Sequence, residues 1–87
     1  MQLMQLEVNG GLRFEEAQVL AVEAASKQVK SPMVLSWLNR QTGQHSPPVD
    51  CCQEEGKETW EIYAESRGGS VRVEIGDLYV FILREGL

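Results

Sequence analysis

An 87-residue chain with 43% hydrophobic and 24% charged residues has the composition of one small globular domain, which excludes a disordered, fibrous or multidomain protein. Eight basic and thirteen acidic residues give a formal net charge of −5, and no lysine or arginine cluster offsets it. Nucleic acid and anionic membrane are therefore not expected as partners, and the longest apolar run, Leu78 to Leu83, is too short to span a bilayer.

In chain order, Leu3 to Val8 reads as a strand, although Met4 breaks the two-residue alternation, and Asn9-Gly10-Gly11 ends it. From Phe14 to about Val29 the apolar residues change to helical spacing, with Phe14, Ala17, Leu20, Ala21, Ala24 and Ala25 on one stripe. Glu15 and Glu16 stand near the start of this helix and Lys27 and Lys30 near its end, as the helix dipole favours, and Ser31-Pro32 stops it. Its alanines allow a close approach to a sheet.

Met33 to Leu38 is apolar on both alternate sets, with Met33, Leu35 and Trp37 on one face and Val34 and Leu38 on the other, which predicts an interior strand. Arg40 to Gly43 reads as a turn. Gln44 to Val49 must then be extended, because Pro47 and Pro48 remove two backbone donors; as a strand it belongs at an edge.

Residues 57–67 fit a helix through Trp60, Tyr63, Ala64 and Arg67, or a strand through Trp60, Ile62 and Ala64. The helix-forming composition and the Gly68-Gly69 stop favour the helix. Val71 to Ile75 alternates strictly, Gly76-Asp77 has the composition of a two-residue turn, and Leu78 to Leu83 reads as a buried strand, so a β-hairpin closes the chain. The expected fold is α+β over residues 1–87: a small mixed or mainly antiparallel sheet, the helix at about 14–29 on one face, a second short helix and the C-terminal hairpin. If the first strand, the helix and the Met33 strand form a crossover, the two strands are parallel and the crossover right-handed.

The chemistry-bearing residues crowd into Gln44 to Cys52, which holds the single histidine, both cysteines and two of the three prolines. Neighbouring Cα atoms lie about 3.8 Å apart, below the usual disulfide range, so Cys51 and Cys52 are expected as free thiols in a reducing compartment. With no basic, long apolar leader at Met1 to Val8, the expected location is the cytoplasm.

His45, Cys51 and Cys52 are the candidates for a metal or thiol site, because imidazole and thiolate are zinc ligands and a Cys–His pair makes a nucleophile. The adjacency of the cysteines works against both, since neighbours on extended chain point to opposite faces. The competing reading is a buried cysteine, a second one at the surface and a histidine that braces the turn. Ser46 beside His45 and Asp50 lacks the setting of a catalytic triad.

Arg67-Gly68-Gly69-Ser70 lacks the lysine and spacing of a phosphate loop and reads as a helix stop. Trp37 and Trp60 are candidates for a small-molecule site, with Arg67 as a further binding residue. Most of the aromatic residues are needed for the core, and Trp60, beside the acidic run Glu54, Glu55, Glu58, Glu61 and Glu65, is the one expected to be partly exposed.

Ser36-Trp37, His45-Ser46-Pro47, Cys51-Cys52, Trp60-x-x-Tyr63-Ala64-x-Ser66-x-Gly68-Gly69 and Tyr79-Val80-Phe81 together resemble, over nearly the whole chain, a family of small bacterial and archaeal domains of unknown function. The resemblance implies a compact prokaryotic domain and supplies no activity, cofactor or substrate. Arg13 departs from the acidic or polar cap expected before the helix. The residues favour a non-enzymatic protein-binding or regulatory module that binds another protein or a second copy of itself, with no cofactor. The alternatives are a thiol- or metal-dependent site on His45, Cys51 and Cys52, and small-molecule binding near Trp37 and Trp60.

Overall fold

The computed structural model describes residues 1–8, 10–48 and 58–86. Among these, the elements are β1 (Gln2–Leu6), α1 (Phe14–Ala25), β2 (Pro32–Asn39), β3 (His45–Ser46), α2 (Thr59–Ser66), β4 (Val71–Ile75) and β5 (Tyr79–Glu85). The strands form one mixed sheet in the order β1-β4-β5-β2-β3. β1 and β4 are parallel and the other neighbouring pairs antiparallel, so β1 and β2 run in the same direction with the C-terminal hairpin lying between them. The fold is α+β, as the spacing of apolar residues predicts. No helix among the described residues is long and apolar enough to cross a membrane.

Each face of the sheet carries one helix. Ala17, Ala21 and Ala25 of α1 pack on Val71, Val73, Ile75, Tyr79, Phe81 and Leu83, with Met4, Leu6 and Val34 at the margin. Phe14, at the first turn, seals this layer: its ring centroid lies 4.5 Å from that of Trp37, 5.5 Å from Phe81 and 5.8 Å from Tyr79. The Tyr79 hydroxyl donates to the Leu12 carbonyl at 2.7 Å, which ties the loop before α1 to the sheet. On the opposite face Trp60 and Ala64 of α2 pack on Val80 and Ile82, flanked by Leu35 and Leu38. The strict alternation of β4 and the continuous apolar run of β5 are explained by this sandwich, because β5 is central and covered on both sides.

The helix α1 ends at Ala25, four residues before the expected Val29. Beyond it the Lys27 and Gln28 N–H groups donate to the Ala24 and Ala25 carbonyls, the tighter three-residue spacing with which helices often finish, while Val29 still packs on the core. Lys27 and Lys30 consequently fall outside the last turn. At the other end Arg13 occupies the cap position. Its side chain has no acceptor to offer, and only the returning half of a capping box forms, with the Arg13 N–H donating to the Glu16 carboxylate at 3.3 Å.

Two local readings need correction. A β-bulge between Val34 and Ser36 shifts the register of β2 against β5, so that Val34 opposes Leu83, Ser36 opposes Ile82 and Trp37 opposes Phe81. Trp37 therefore shares the α1 face with Val34, while Leu35 and Leu38 face α2; simple alternation assigns these pairs the other way. The hairpin turn has three residues, Gly76-Asp77-Leu78, since Ile75 opposes Tyr79. Gly76 takes the left-handed conformation the turn requires, at φ +51°, and Leu78 packs on the core as a turn residue.

Candidate functional site

The two-residue strand β3 pairs with β2, Ser46 opposite Trp37 and His45 opposite Leu38. The His45 Nδ1 lies 3.1 Å from the Pro47 carbonyl oxygen. A carbonyl only accepts, so Nδ1 is the donor in this contact. Trp37, Gly43, Gln44, His45 and Pro48 line a shallow groove of about 470 Å³. The sequence candidates Trp37 and His45 are thus brought to one groove. Asp50, Cys51 and Cys52 lie outside the described residues, as do Glu54 and Glu55. Among the described residues no group of three or more His, Cys, Asp or Glu side chains is placed to hold a metal ion.

Trp60 is 1% exposed, not the exposed aromatic that its acidic neighbours suggest. One of those neighbours is a partner: the indole N–H donates to the Glu58 carboxylate at 2.7 Å. Trp60 and Trp37 lie on opposite faces of the sheet and cannot line one pocket. Arg67, the C-cap of α2, stacks its guanidinium over the Tyr63 ring at 4.4 Å, and its carbonyl accepts a hydrogen bond from Arg84 Nη1 at 3.0 Å. Trp37, Trp60 and Arg67 therefore occupy three separate settings.

A second shallow groove, of about 590 Å³, lies at the carboxyl ends of the parallel strands β1 and β4, where α/β sheets commonly bind ligands. Its lining includes Glu7, Glu74 and Asp77, which sets it against anions. Glu74 is already engaged, accepting from Arg72 Nε at 3.0 Å and from Gln5 Nε2 at 3.3 Å, and Arg72 also bridges to Glu61 of α2. Burial pushes the Glu74 carboxyl up, but these hydrogen bonds and the charges of Arg72 and Arg40 outweigh it and hold the group below its ordinary value of 4.5.

A depressed carboxyl stabilises the fold above its unfolded-state value and loses that contribution as pH falls through its folded-state value. The wild type is accordingly expected to lose stability below about pH 4.5 faster than Glu74→Gln, with the two urea midpoints converging on acidification. Parallel slopes between pH 6 and pH 3 (roughly the range over which carboxylates titrate) would show that Glu74 carries no such linkage.

The two edges of the sheet differ. β3 is short and runs into Pro47 and Pro48, two standard ways of blunting an edge. β1 has neither device. The Gln2 N–H donates to the Ser70 carbonyl and the Leu6 carbonyl accepts from Gly76, both at 2.8 Å. In a parallel ladder of this register Gln2, Met4 and Leu6 bond toward β4, and Leu3 and Gln5 direct their N–H and C=O groups away from the sheet.

Gln2–Leu6 contains no charge, proline or bulge, and it has no strand on its outer side among the described residues. Met1 and Leu3 are 57% and 53% exposed. Sequence reasoning does not find this edge. Which backbone groups point outward depends on the strand that β1 pairs with, and that pairing joins residues about 70 positions apart.

The fold is closely similar to the crystal structure of protein AF1514 from Archeoglobus fulgidus DSM 4304, with a TM-score of 0.85 and 29% sequence identity over 100% of this chain and 96% of that one. No curated protein matches the chain significantly. Residues 1–83 match the family described as a domain of unknown function, DUF5619, and the chain belongs to that family.

Proposed function

We propose that the chain is a non-enzymatic protein-interaction module that recruits an extended segment by strand addition along the outer edge of β1. The observation that carries this reading is the outward direction of the Leu3 and Gln5 backbone groups on an uncharged edge. In strand addition main-chain hydrogen bonds supply affinity and alternate side chains supply selectivity. The exposed Leu3 provides the apolar contact. The contrast with the proline-blunted β3 edge supports it further, because the same sheet protects one side and leaves the other suited to pairing.

Amide hydrogen exchange on the dilute protein tests the reading. Gln2, Met4 and Leu6 are expected to be protected and Leu3 and Gln5 to exchange freely. A strand-forming peptide of alternating leucine and glutamine should then slow exchange at Leu3 and Gln5 selectively. Protection of both amides in the dilute monomer, or peptide contacts confined to the Trp37 and His45 groove, would refute it.

A further inference from the structure

We infer that the extended segment bound at this edge is β1 of a second copy of the chain, paired antiparallel about a two-fold axis through Leu3, so that two five-stranded sheets join into one of ten strands. The inference rests on the strand-addition reading above and names its partner.

Charge is the first argument. Two copies each carrying a net −5 repel at most approaches, but Gln2–Leu6 is uncharged, so the β1 edges meet without like charges in the paired stretch.

Register is the second. A two-fold perpendicular to the sheet places one residue opposite its own copy, which limits the choice along β1 to a few axes. An axis through Gln5 sets Leu3 against the partner's Glu7, and one through Met4 sets Met1 there, each placing an apolar side chain against a carboxylate. An axis through Leu3 sets Leu3 against its copy and Met1 against the partner's Gln5. Because Leu3 is an outward-bonding residue, it exchanges both of its backbone hydrogen bonds with the partner's Leu3.

The side chains give the third. Met1 and Leu3 fall on the same face by the two-residue period of the strand, and both are more than half exposed. With the axis at Leu3 the two leucines are directly opposed and each lies diagonal to the partner's Met1. Four exposed apolar side chains then cover one another.

Sedimentation over protein concentrations from about 1 μM to 1 mM, a span that covers weak to moderate self-association, reads the assembly. The mass is expected to rise from one chain to two, with the Leu3 and Gln5 amides becoming protected over the same range. Leu3→Lys replaces a 53% exposed residue whose own backbone groups point away from β4 and bond nothing among the described residues, so the monomer should fold unchanged by circular dichroism. It should weaken dimerisation by about tenfold or more. Val19→Lys, at a 56% exposed site on α1, should leave the mass curve unaltered.

A dimer that survives Leu3→Lys would overturn this interface. A single-chain mass throughout with Leu3 and Gln5 exchanging freely would overturn self-pairing and leave strand addition to a different protein standing. Protection of those amides in the monomer would overturn both.

Discussion

Trp60→Ala is expected to lower the unfolding free energy by about 3–5 kcal/mol, the range for deleting a fully buried large aromatic from a core. Trp60 is the largest side chain of the α2 layer, 1% exposed, and it is held against Val80, Ile82 and Ala64. The layer is thin. Apart from Trp60, the buried members of this cluster are one alanine, one valine and one isoleucine, none large enough to fill the space, and Leu35 and Leu38 only flank it. The indole also donates to Glu58 at the cap of α2, and its loss removes both the largest apolar anchor of a short helix and the partner of its cap residue.

In a domain of this size the change corresponds to a fall in Tm on the order of 15–30 °C. Urea unfolding followed by circular dichroism would measure it, and Trp60→Phe should recover part of the loss, because a six-membered aromatic ring remains while the five-membered ring and its N–H bond are given up. A loss below about 1 kcal/mol for Trp60→Ala would mean that α2 is not bound through this side chain.

Gly69→Ala is expected to cost about 1–3 kcal/mol by overpacking. A Cβ at this position would stand 2.9 Å from the Ile82 Cγ2 and 3.0 Å from the Ala64 carbonyl oxygen. Neither can retreat. Ile82 is buried in the centre of β5, and the Ala64 carbonyl already accepts the Gly69 N–H at 2.9 Å. The glycine is therefore needed for the close passage between the end of α2 and the sheet, not for backbone freedom. Gly11→Ala, where a Cβ meets nothing within 4 Å, should change stability by less than about 0.5 kcal/mol, and equal effects at both sites would contradict the packing argument.

The period of apolar residues made α1, β4 and β5 legible, because each presents one uninterrupted pattern to a single layer. β2 was harder. Its two-faced apolarity marks it as interior, yet the bulge that assigns Trp37 and Leu38 to their faces leaves no mark in composition. Trp60 is hard to place for a related reason: an acidic run suggests solvent, but the Glu58 and Glu61 carboxylates accept hydrogen bonds from the indole N–H and from Arg72. Of the candidate site residues, Trp37 and His45 share a groove, as their nearness to one turn suggests, whereas the open edge of β1 is a property of strand order, and strand order is not written in any local stretch.

Strand order also has a consequence for how the molecule comes into being. The hairpin of β4 and β5 occupies the middle of the sheet, and β1 and β2, made first, touch only through it. While the chain is being synthesised, β1 and α1 have no neighbouring strand to join and β2 has only the two residues of β3, since the central hairpin is made after them. Assembly must wait for Glu85 and then close contacts that span most of the sequence, a topology associated with slow, all-or-none acquisition of structure. Until that moment the nascent β1 is an unshielded apolar segment, so a ribosome-bound chain stalled before β5 should be degraded or captured by chaperones as an unfolded polypeptide and not as a half-built domain.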